Sequence, residues 1–76
     1  MNDIDCYFNL AVAIVERAIF DYRKALRRLK LDIEDVFAGD EAASCEQFFM
    51  SDWFKILTNL DGKFVIDSIC EQELFV

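Results

Sequence analysis

The sequence has no histidine, no proline and only two glycines, Gly39 and Gly62. Without histidine it lacks the side chain that most often exchanges a proton near neutral pH, and with it the usual general base. Without proline, and with so little glycine, no segment reads as a linker and no glycine-rich loop can cradle a phosphate. The three cysteines, Cys6, Cys45 and Cys70, are an odd number with no C-x-x-C spacing. One chain therefore does not readily build a disulfide framework or a four-ligand zinc site. They read best as small buried apolar residues in a reducing compartment, and a redox or intermolecular disulfide role is the alternative. Long apolar runs are missing too. The longest uncharged stretch, Cys6 to Val15, is too short to span a bilayer, and Asp3 and Asp5 precede it where a signal peptide carries positive charge.

What is present is apolar bulk and acid. A chain of 76 residues makes one domain, 1–76, and buries too little surface to be very stable alone. Its hydrophobic share of 55% is high for a soluble domain, which favours self-association or a partner surface. Net charge is −7, unevenly placed: residues 1–30 carry +2 and residues 31–76 carry −9. That balance repels phosphate backbones, so direct nucleic-acid binding is not expected. It suits a protein that engages a basic surface, although acids also keep a greasy small protein soluble.

The first element is the clearest. Asn2 or Asp3 can cap a helix, and Arg27, Arg28 and Lys30 near its far end complement the dipole. Ile4, Phe8, Ala11, Val15, Ala18, Tyr22, Ala25 and Leu29 follow at steps of four and three, a heptad seam. Val12, Ile19, Leu26 and Ile33 form a second row beside it. A helix from about Ile4 to Lys30 is predicted. Its apolar seam, through Phe8, Ala11, Val15, Ala18 and Tyr22, is a candidate surface for a homodimer. Asp32 is expected to cap a short helix ending at Gly39, the alternative being a first helix that runs on through Ile33 and Val36 to Gly39, and Asp40 to cap the next. From there Ala42, Cys45, Phe49, Trp53, Ile56 and Leu60 keep a helical rhythm, either as one helix to Thr58 or as two divided at Ser51. Asn59-Leu60-Asp61-Gly62 is a strong turn signal. A last helix ending near Glu73 is expected after it, with a hairpin across residues 55–68 as the rival. The predicted fold is all-α, a small bundle of three to four helices with one long amino-terminal helix.

Little in the chain points to catalysis. Ser44, Ser51 and Ser68 have no glycine elbow, and Asp32, Glu34, Asp35, Asp40 and Glu41 lack the spacing of a calcium loop. No enzyme, metal or cofactor is expected. The cluster Phe48-Phe49-Met50-Ser51-Asp52-Trp53-Phe54 is more informative, because its rings occupy more than one side of a helix. Phe49, Trp53 and Ile56 are expected in the core, while Phe48 fits either the core or an interface pocket. The basic strip of the first helix, Arg17, Arg23, Lys24, Arg27 and Arg28, reads as a solvated face or as a contact with the acids of a neighbouring copy.

The stretch Glu46-Gln47-Phe48-Phe49-Met50-Ser51-Asp52-Trp53-Phe54-Lys55-Ile56-Leu57-Thr58-Asn59-Leu60-Asp61-Gly62 resembles the carboxy-terminal pattern of short helical proteins encoded by prophages and other mobile elements of Gram-positive bacteria. Asp21-Tyr22-Arg23-Lys24-Ala25-Leu26 is similar to their first helix, and the two stretches cover about half the chain. The resemblance implies a setting in the bacterial host cytoplasm. It also implies inhibition of a host defence factor, as anti-CRISPR proteins do by occupying a basic nucleic-acid channel. The basic first helix departs from a uniformly acidic nucleic-acid mimic. The expected function is a small acidic protein-binding module that occupies a basic host surface. Asp32, Glu34, Asp35, Asp40, Glu41, Glu46 and Asp52 would make the contact, with Phe48 as apolar anchor. A homo-oligomer using the helix seam is the alternative.

Overall fold

A computed structural model describes residues 3–74, with side-chain surroundings for residues 9–74. The described residues are all-helical: α1 (Asp3–Leu31), α2 (Val36–Phe49), α3 (Asp52–Thr58) and α4 (Gly62–Leu74). The expected cap Asn2 and the side chains of Ile4, Cys6 and Phe8 lie outside the described residues.

Nothing in α1 breaks it, since it contains neither proline nor glycine, and Arg28 and Lys30 sit in its last turn. It ends where the Asp32 amide bonds back to the Arg28 carbonyl at 2.9 Å and the Asp32 side chain accepts the Glu34 amide at 3.0 Å. Asp32 thus shapes a turn and does not open a helix, a correction to the sequence expectation. The cap is Asp35, whose extended backbone places its carboxylate 3.0 Å from the Ala38 amide. The structure also corrects Gly39 and Asp40: α2 runs through both. A glycine inside a helix costs about 1 kcal/mol, and α2 offsets that by burying Ala38, Ala42, Cys45 and Phe49.

Ser51 does divide the next run. Its hydroxyl accepts the Phe54 amide at 3.2 Å and donates to the Phe48 carbonyl at 2.6 Å, capping α3 as α2 closes on Met50. The break resets the helical register. Phe54, not Trp53, enters the core, with no exposed surface at all, while Trp53, Ile56 and Leu60 face outward, each more than half exposed. The expected core places of Trp53 and Ile56 are therefore wrong. Asn59 ends α3 in the left-handed conformation (φ 58°), its amide on the Lys55 carbonyl at 2.9 Å. The turn signal there is real, and the chain leaves it as helix, not as a hairpin. Gly62 is buried at the start of α4 because a Cβ there would overlap the Phe49 carbonyl.

The core gathers Tyr22, Leu26, Phe49, Phe54 and Ile69 around small Ala25, Ala42 and Cys45. Phe49 is its hub. Its ring lies 5.7 Å edge-on from Tyr22 and 5.4 Å edge-on from Phe54, and Phe48 leans on both phenylalanines at 5.7 Å. The α1 seam packs on these helices: Ala11, Tyr22 and Ala25 are buried, and Val15, Ala18 and Leu29 are half-buried. In the second row Leu26 is buried and Ile19 half-buried, whereas Val12 and Ile33 are exposed. The molecule measures 46 × 21 × 20 Å. At 1.5 Å per residue α1 is about 43 Å long and α2 about 21 Å, so α1 sets the long axis and extends beyond its partners.

Candidate functional site

The corner between α1 and α2 concentrates the surface chemistry. Asp35 pins it twice, accepting the Ala38 amide with one oxygen and Arg28 Nη2 with the other at 3.0 Å. These bonds, the Ala38 amide first, hold the Asp35 carboxyl below the usual carboxylate range. On this fixed corner Leu31 is 89% exposed, Ile33 82%, Val36 69% and Phe37 79%. Four large apolar side chains in seven consecutive residues are thus left in water, interleaved with Asp32 and Glu34, which are exposed as well. Asp40 and Glu41 extend the acidic surface along α2.

Beside the corner, a cleft of about 470 Å³ runs between α1 and α2. Arg17, Lys24 and Arg28 line its α1 wall, and Phe37, Asp40 and Glu41 line its α2 wall. The cations are partly committed, Arg17 to Asp21 at 3.3 Å and Arg28 to Asp35. The acids on the opposite wall remain open to solvent.

The structure brings together five of the eight expected partner residues, Asp32, Glu34, Asp35, Asp40 and Glu41, and separates the other three. Glu46 lies five residues beyond Glu41, about 140° round the helix. It is half-buried and accepts the Tyr22 hydroxyl at 3.3 Å. Asp52 is exposed in the first turn of α3, at the other end of α2. Phe48 is half-buried against Phe49 and Phe54, so its ring serves the core. Sequence reasoning missed Leu31, Val36 and Phe37 as surface residues. Their signal was the alternation of apolar and acidic residues over 31–37, which follows neither flanking helix.

Two members of the basic strip of α1, Arg23 and Arg27, reach across to α4. Arg23 Nη1 and Arg27 Nε each reach Glu73 of α4 at 2.9 Å, and Gln72 accepts a further bond from Arg23. The two guanidiniums, Arg27 foremost, hold the Glu73 carboxyl below its ordinary range. Among the other titratable groups, burial pushes the Cys45 thiol up to about 11, with Glu41, Asp21 and Glu46 adding to the shift. A thiol held protonated in this way behaves as a small apolar filler. The Tyr22 hydroxyl touches Cys70 Sγ at 3.2 Å as well as Glu46, and burial, then the bond to Cys70, raises it far above its ordinary range. Both Cys45 and Cys70 are free. Among the described residues no group of three or more His, Cys, Asp or Glu side chains could hold a metal ion, and no helix is long and apolar enough to cross a membrane. Compared with known proteins, the chain matches no family model, no curated protein and no solved structure.

Proposed function

We propose that this chain is a non-catalytic protein-binding module that docks through the α1–α2 corner onto a basic partner surface with an apolar recess. The observation that carries the reading is the exposure of Leu31, Ile33, Val36 and Phe37 on a segment fixed by Asp35 and rimmed by Asp32, Glu34, Asp40 and Glu41. Apolar anchors in a charged rim are the usual anatomy of a binding hot spot. A pinned corner also loses little conformational freedom on binding. The acidic rim steers toward a positive surface and repels competing acidic ones. The prophage resemblance supplies the biological setting, in which the partner is a host factor such as a nucleic-acid-handling defence protein.

The test is capture from a Gram-positive host lysate with a tagged chain at low and high salt, with partners identified by mass spectrometry. A basic nucleic-acid-handling protein is expected at low salt and is lost at high salt. Combined Glu34→Lys, Asp40→Lys and Glu41→Lys should abolish capture. Ile33→Ala with Phe37→Ala should weaken it at least about tenfold, the loss of a hot spot. Capture that survives charge reversal at the corner would overturn the reading.

A further inference from the structure

We infer that the face of α1 turned away from the core binds a second copy of this chain, antiparallel, with the two-fold axis at the level of Val15. This face is distinct from the seam spent in the core. Leu10, Ala13, Arg17, Phe20, Lys24 and Arg27 follow one another at steps of three and four, and all six are exposed. Leu10 is 60% and Phe20 58% exposed, the Phe20 ring lying 5.8 Å beneath the Arg17 guanidinium. The row therefore has the spacing of a coiled-coil seam, and no other described residue covers it.

Charge selects the occupant. Residues 3–16 of α1 carry three acids and no base, while residues 17–31 carry six bases and one acid. A second α1 laid parallel would set acid against acid and base against base. Laid antiparallel, it sets each half against its opposite, and the two helix dipoles oppose as well. In the register where residue n faces residue 30 − n, Leu10 meets Phe20 of the second copy. There Ala13 meets the aliphatic stem of Arg17, its small side chain permitting close approach of the axes. Lys24 and Arg27 then lie in the basic half of α1 that runs along the acidic amino-terminal half of the second copy. Among the described residues Lys24 has no salt bridge within its own chain, so its charge is open to this pairing. The overlap spans about 37 Å at 1.5 Å per residue. Because two-fold symmetry makes every contact occur twice, one complementary half-face is enough.

The test is sedimentation equilibrium of the intact chain from about 1 µM to about 1 mM, a range that brackets ordinary weak and moderate affinities. The expected mass is twice the 8.9 kDa of one chain. Leu10→Glu with Phe20→Glu should restore the single-chain mass with circular dichroism unchanged, since both side chains point away from the core. Lys24→Glu should weaken association at least about tenfold and Lys24→Arg should preserve it. A photoreactive side chain placed at position 13 should cross-link near Arg17 of the second copy. A single-chain mass throughout, a dimer indifferent to the double substitution, or cross-links joining position 13 to itself would each overturn the proposal.

Discussion

Gly62 and Gly39 are the same residue type in helices of one bundle, yet their environments give opposite expectations. At Gly62 a Cβ would overlap the Phe49 carbonyl oxygen, and backbone cannot swing aside as a flexible side chain can. Gly62→Ala should destabilise the fold by about 1–3 kcal/mol or more, the scale of overpacking, despite the better helix propensity of alanine. At Gly39 nothing lies within 4 Å of the added methyl. Gly39→Ala should stabilise by about 0.5–1 kcal/mol. Urea denaturation of the two variants beside the parent checks both signs. Tyr22 and Cys45 make a second expectation, in pH. Both groups ionise at higher pH folded than unfolded, Cys45 at about 11 against an ordinary 9.0, and Tyr22 far above its ordinary 10.0. Between those values the unfolded chain releases protons that the native one retains, so the contribution of these two groups to stability is full below about pH 9 and falls as pH rises beyond it. Urea midpoints from pH 7 to 11 should show that decline, and Tyr22→Phe should flatten its upper part.

At the scale of elements, caps decided what periodicity could not. The single long α1 was legible because an uninterrupted heptad pattern reports one helix and one buried face. The Ser51 break was legible only as an option. Its consequence, Phe54 inside and Trp53 outside, depends on the angle at which the next helix starts, and residue spacing does not encode that angle. The same holds at the corner. Asp32 and Asp35 are both competent caps, and which of them serves is settled by the reach of Arg28 to Asp35 across the turn. The Arg23–Glu73–Arg27 clamp was illegible, since it joins residues 46 and 50 apart in sequence. The clamp ties the carboxyl end of α4 to α1. Glu73 has a carboxyl pKa lower folded than unfolded, so its contribution is present above the ordinary carboxylate range and is lost as pH falls through the native value. Hydrogen exchange should find the last turns of α4 opening more readily in Glu73→Gln than in the parent at pH 7. Near pH 3 that difference should shrink.

For the whole molecule, composition foretold more than pattern did. An apolar share of 55% in 76 residues leaves more greasy surface than one small core can hide, and the structure locates surplus on the α1–α2 corner, the outer face of α1 and an α3 stripe of Trp53 and Ile56. The acids expected at the binding surface were legible as a group, because charge can be counted without a fold. Which of them gather was not, since Glu46 and Asp52 are parted from the rest by a helix rotation and a helix length. The radius of gyration, 13.7 Å, exceeds the roughly 11 Å of a compact chain this long, in keeping with the overhang of α1. The chain's only tryptophan lies on the α3 stripe, 54% exposed. Its indole fluorescence is therefore an optical gauge of surface occupancy. It shifts to shorter wavelengths when another molecule settles over α3 and covers the half of the ring that now faces water.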